Sequence, residues 1–138
     1  MMGQKRSQLR SRYWIRIITD RVMNMHVKCF CNLFVSESLK KRKNRIIKEL
    51  MVQKFRPSVY IITLSQGEQN HLEFFSALLL QQHIFENEDL FVVGIANGYE
   101  DAIDLVEQIV QQVIAQTGGT DIRRYIVEQQ KEFEESRV

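Results

Sequence analysis

SVYIITLSQGEQNHLEFFSALLLQQHIF, residues 58–85, decides the fold, because the direction of every neighbouring strand depends on the structure its residues adopt after Leu64. Val59–Leu64 is a continuous apolar run rich in β-branched side chains, the composition of a strand covered on both faces. Beyond Ser65, the residues Leu72, Phe75, Leu78 and Leu79 recur at three- and four-residue spacing, which predicts a broad, well-buried helix from about Gln66 to Phe85. Ser65 followed by Glu68 matches a capping box, with the hydroxyl accepting a free helix N–H and the carboxylate returning to the serine's own N–H. DLFVVGIA, residues 89–96, is a second fully apolar strand. A helix between two such strands makes a crossover, and a crossover implies parallel pairing.

On the amino-terminal side, residues 26–35 alternate Val27, Cys29, Cys31, Leu33 and Val35 against His26, Lys28 and Asn32, the period of a half-buried strand. Residues 38–55 set Leu39, Ile46, Ile47, Leu50, Met51 and Phe55 at helical spacing under a strongly basic opposite face, and Pro57 ends that helix by disfavouring helical geometry at Arg56. On the carboxyl side, residues 100–116 repeat Ile103, Val106, Ile109, Val110 and Val113 at helical spacing. The TGG at 117–119 supplies a stop. A last helix runs from about Thr120 to Glu135. The expected fold is therefore α/β: a small three-layer sandwich with about three parallel strands in βαβαβαα order, one domain over residues 25–138. So narrow a sheet leaves edges to manage, which favours a homo-oligomer, in the simplest case a homodimer.

Composition narrows the function classes. The 138 residues are 44% hydrophobic and 26% charged, as in soluble globular chains. No apolar run approaches the ~18 residues of a membrane span, and the basic N-terminus lacks a signal-peptide pattern, so a cytoplasmic protein is expected. The net charge of +2 conceals an asymmetry: residues 1–58 carry 15 − 3 = +12 and the remainder 4 − 14 = −10. Such separation fits either a nucleic-acid patch or two complementary surfaces that meet within the fold or across an oligomer.

No motif specifies a reaction. Ser65 lacks the earlier glycine of a nucleophile elbow, since Thr63 stands there, and the later histidines His71 and His83 lie on the helix Ser65 would begin. The corner GIANGYED, residues 94–101, has neither phosphate-loop spacing, and Glu100, Asp101 and Asp104 already satisfy the helix dipole. Cys29 and Cys31, two apart on a strand, are expected to share a face as core thiols, with no second ligand pair to complete a metal site. No catalytic residue, metal or cofactor is assigned. If the strand ends form a pocket, its lining is expected to be Ser65, Gln66, Glu68, Asn97 and Glu100, at the carboxyl ends of parallel strands where open α/β sheets bind ligands. Lys40, Lys41, Arg42, Lys43, Arg45 and Lys48 are the candidates for contact with nucleic-acid phosphates, without a base-reading motif beside them.

Residues 1–24 read as a basic extension outside the alternation, either an arm or the product of a misplaced start ahead of Met25. Residues 89–126, DLFVVGIANGYEDAIDLVEQIVQQVIAQTGGTDIRRYI, together with YIITLS and ALLLQQ, resemble small α/β proteins of Gram-positive bacteria with no known activity. The resemblance implies a cytoplasmic bacterial setting and transfers no functional residue. The expected function is a non-enzymatic interaction or regulatory module acting as a homo-oligomer; a nucleic-acid-binding accessory protein and a small hydrolase or nucleotide-binding enzyme come after it in that order.

Overall fold

The computed structural model describes residues 15–18, 24–64, 72–81 and 89–137. Among them the strands are β1 (Ile15–Ile18), β2 (Asn24–Val35), β3 (Val59–Leu64), β4 (Leu72–Ser76) and β5 (Asp89–Asn97), and the α-helices are α1 (Lys43–Met51), α2 (Tyr99–Thr117) and α3 (Ile122–Ser136). Two 3-10 helices, Glu37–Arg42 and Ala77–Gln81, precede α1 and follow β4. The fold is α/β, with a single mixed sheet in the order β1-β2-β5-β3-β4.

The expected three parallel strands are corrected to one parallel pair. β2 runs parallel to β5, whereas β3 is antiparallel to both β5 and β4, and β1 is antiparallel to β2. The cause lies in residues 58–85. The described part of the predicted helix over 66–85 is instead the edge strand β4 and a short 3-10 helix. Leu72 and Phe74 join the core on one face of the sheet and Phe75 joins the other, the period of a strand. With Leu64 facing Leu72 and Tyr60 facing Ser76, the chain doubles back, so β3 and β5 end antiparallel. Ile15–Ile18, within the expected extension, pairs with Asn24–Val27 and adds an edge strand.

Two helical layers cover the sheet. On one face, Leu39 of the first 3-10 helix and Ile46 and Leu50 of α1 pack with Val27, Leu33, Ile61, Val92 and Ile95. On the other, Ala102, Leu105, Ile109 and Val113 of α2 and Ile122 and Ile126 of α3 pack with Phe30, Ile62, Val93 and Ala96. The expected helix over 38–55 is thus split, and α1 stops at Met51 in a Schellman arrangement. Lys54 N–H donates to Glu49 O at 2.8 Å and Gln53 N–H to Leu50 O at 3.2 Å, with Gln53 in the left-handed region at φ 63° where glycine is usual. Gly118, at φ 76°, closes α2 as the TGG signal predicts.

The ladder between β2 and β5 breaks between Cys29 and Phe34, where five steps along β2 match two along β5. Inside the bulge Cys31 leaves the alternation of β2: Val27, Cys29, Leu33 and Val35 pack with the α1 layer, whereas Cys31 packs with the α2–α3 layer, so the cysteines do not share a face. Both are free. The break also leaves backbone groups without a strand partner, and α3 supplies one. The Cys31 N–H donates to Gln130 Oε1 at 2.7 Å, Asn32 Nδ2 donates to Gln129 Oε1 at 2.9 Å, and Lys28 pairs with Glu134. A second irregularity in β5 brings Gly94 under α2. A Cβ there would stand 3.3 Å from Ile62 Cδ1, Leu105 Cδ2 and the Phe34 carbonyl oxygen, so any side chain at this position would make the neighbours give by a few tenths of an ångström.

Candidate functional site

At the carboxyl end of the parallel pair β2–β5 two turns leave the sheet side by side. From β2 the chain turns to the α1 face of the sheet and from β5 to the opposite face, which is the topological switch point where open sheets hold ligands. Ser36 N–H donates to Ile95 O at 3.0 Å. Its side chain, 7% exposed, places a buried Oγ there without a hydrogen-bond partner. Ser38 Oγ donates to Asp101 Oδ2 at 3.2 Å, tying the two turns together. Asn97 and Glu100 are exposed at this corner. Gly98, at φ 96°, turns the chain into α2 in a conformation that L side chains rarely adopt.

Ser65, Gln66 and Glu68 lie outside the described residues. Leu64, which precedes them, sits beyond Thr63, and Thr63 faces Val92, whereas Val59 faces Asn97. Leu64 is therefore about five residues, or ~17 Å, along the strand from the Asn97 corner, and antiparallel pairing removes the reason for expecting these turns at one end of the sheet. The Asn97 corner combines hydroxyls, an amide and carboxylates. Glu100 and Asp101 occupy the first turn of α2, where they complement the helix dipole and repel phosphate. Among the described residues no group of three His, Cys, Asp or Glu is placed to hold a metal ion. Burial raises the Cys29 thiol to about 11, only partly opposed by Lys43, and burial also raises Cys31, so neither is an activated nucleophile.

A groove of about 570 Å³ lies by the α2–α3 turn, lined by Asp121, Arg124, Tyr125 and Glu128 among others. Asp121, Arg124 and Glu128 are already engaged with one another. Asp121 accepts the Arg124 N–H as the cap of α3, Arg124 Nε donates to Glu128 at 3.1 Å, and Tyr125 Oη accepts from Gln112.

The exposed surfaces are more distinctive. Lys40, Lys41, Arg42, Arg45 and Lys48 are exposed and Lys43 is half-buried, all on the α1 face of the sheet. The acidic residues 128–135 belong to α3 on the other face, so the pairing of these two segments within one chain does not occur. On α2, Tyr99 is 58% exposed, Ile103 41% and Ile114 45%, and the half-buried Val106 and Val110 fall between them on one side of the helix. Tyr99 meets Phe74 of edge strand β4 with ring centroids 5.5 Å apart and Tyr60 of β3 at 6.3 Å. The α2 stripe and the β4 edge thus form one apolar surface, on the flank of α2 away from the Gln112–Tyr125 contact with α3. Helical periodicity by itself groups Ile103, Val106 and Val110 with the buried Ile109 and Val113. The signal in the sequence that separates them is an apolar arc, from Tyr99 to Ile114, wider than one buried contact requires.

No family model matches the chain, and no curated protein and no solved structure matches it. Among the described residues no helix is long and apolar enough to cross a membrane.

Proposed function

We propose that this protein is a non-enzymatic interaction module that works as a homodimer, built through the α2 stripe and the β4 edge, in the bacterial cytoplasmic setting that the sequence resemblance implies. The observation that carries this reading is the continuity of exposed Tyr99, Ile103 and Ile114 with the Tyr60–Phe74 pair at the end of the sheet. An apolar helix face beside an edge strand offers both elements of a two-fold interface: ladder groups that pair with the same strand of a second copy, and side chains that bury against its equivalent helix. Large exposed apolar surface is costly to leave in water and marks association.

Sedimentation velocity over a dilution series tests the proposal. A concentration-dependent dimer is expected, and Ile103→Lys, which puts a charge at the centre of the stripe, is expected to give a monomer with an unchanged circular dichroism spectrum. A monomer at every concentration, or a dimer indifferent to Ile103→Lys, refutes it.

A further inference from the structure

We propose that the 3-10 helix Glu37–Arg42 and α1 form a docking surface for the phosphate backbone of double-stranded nucleic acid. Residues 37–56 hold eight basic and two acidic residues, 8 − 2 = +6. Both acids are occupied locally: Glu37 pairs with Lys40 at 3.0 Å, and Glu49 accepts from Arg56 Nε at 2.8 Å and Nη2 at 2.9 Å. Lys41, Arg42, Arg45 and Lys48 are exposed and, among the described residues, have no ion-pair partner.

The fold keeps this charge outward and unneutralised. Leu39, Ile46 and Leu50 are buried against the sheet, so the polar side of the helix has one orientation. Residues 99–136, which form α2 and α3 on the far face, carry 3 − 9 = −6. Two layer spacings of about 10 Å separate α1 from the bodies of α2 and α3, more than twice the ~8 Å screening length at physiological salt. Asp101, at the start of α2, comes up to this surface, where it accepts from Ser38 Oγ at 3.2 Å, but most of the acidic side lies too far away to cancel the basic field over α1.

Spacing favours a phosphate chain over isolated anions. Arg45 and Lys48, three residues apart on α1, are neighbours on a helix surface, and Lys41 and Arg42 precede them at the end of the 3-10 helix. The stretch from Lys41 to Lys48 is on the order of 10 Å long, comparable to the span of a few phosphates on a duplex backbone. Phe55, the aromatic ring of residues 37–56, is buried, so this face offers no platform for unpaired bases and fits a duplex backbone without sequence readout. A bilayer surface fits less well: the apolar side of the helix is committed to the core, and of its large apolar residues only Met51 and Val52, at its end, are exposed, too few to anchor an interfacial helix.

The test is fluorescence anisotropy of the full chain with a short labelled DNA duplex of arbitrary sequence, across about 50 to 200 mM salt. Four unpaired cations predict a slope of log K against log salt of about −3 to −4, a loss of about a hundredfold over that range. The triple charge reversal K41E/R45E/K48E, all at exposed positions, is expected to weaken binding at least tenfold and flatten the slope while the thermal midpoint is unchanged. Absence of binding at the lowest salt overturns the proposal. So does binding that survives the triple variant but is lost when Lys5, Arg6, Arg10 and Arg12 are changed to Gln, and so does α1-dependent binding to phosphatidylserine vesicles without binding to the duplex.

Discussion

Gln130→Ala tests how α3 is held on the sheet. Gln130 is 4% exposed, and its Oε1 accepts the Cys31 N–H at 2.7 Å, at the point where the bulge has removed the strand partner of β2. Truncation leaves that donor unpaired in the half-buried junction, a loss of about 1–3 kcal/mol. It also removes the bond from Nε2 to Glu134 Oε2 at 2.9 Å, about 1 kcal/mol more, while releasing up to about 2 kcal/mol of side-chain ordering. The expected net loss is about 2 kcal/mol. For a domain of this size that is a fall in Tm of about 8 °C. Equilibrium urea unfolding followed by circular dichroism measures it, with an unchanged m value showing that the denatured state is unaltered. Gln130→Glu keeps the acceptor but sets a second carboxylate against Glu134, so it is expected to regain stability relative to wild type as the carboxylates protonate. A loss below about 0.5 kcal/mol for Gln130→Ala, with no faster hydrogen exchange at Cys31, would refute the view that α3 completes the broken ladder.

Local geometry leads to three further outcomes. Gln53→Gly is expected to stabilise by about 1 kcal/mol in thermal melts, because the left-handed φ of 63° costs a side-chain-bearing residue about that much and the buried Nε2 has no partner to lose. Gly94→Ala is expected to lose about 1–2 kcal/mol in urea titration, since Ile62 and Leu105 can shift their methyl ends but the Phe34 carbonyl, also at 3.3 Å, is backbone; an unchanged midpoint would mean the strand is free to relax. The hydrogen bonds from Arg56, aided by its charge and those of Lys54 and Arg45, hold the Glu49 carboxyl below its ordinary range. With the folded-state value depressed, the pair's contribution is present above the unfolded value of about 4.3 and lost as pH falls through the folded value. The stability gap between wild type and Glu49→Gln should therefore close on acidification, and a gap constant from about pH 7 to pH 3 contradicts that coupling.

Amino-acid order alone determined the elements whose periodicity has one reading. Val59–Leu64 and Asp89–Asn97 were legible as buried strands because a continuous apolar, β-branched run fits little else at that length. The helix Tyr99–Thr117, with acidic residues at its start and Gly118 at its end, and the helix after Asp121 were equally plain, as was the separation of charge along the chain. Asn97 and Glu100 stand at a strand-to-helix turn, as their sequence context implied. Residues 72–81 were not legible, because LEFFSALLL satisfies the helical spacing of Leu72, Phe75 and Leu78 as well as the alternation of Leu72, Phe74 and Ser76. Pairing with β3 settles that ambiguity, and it is an interaction between residues such as Ile62 and Phe74 that no local window contains. Everything downstream of that pairing belongs to tertiary structure: the antiparallel direction of β3, the switch point between β2 and β5, the bulge that sends Cys29 and Cys31 to opposite faces, and the placement of the basic helix and the acidic helices on opposite sides of one sheet. Side-chain periodicity reports which face of an element is buried; it does not report which other element buries it, because that choice is made by contacts between residues distant in the chain.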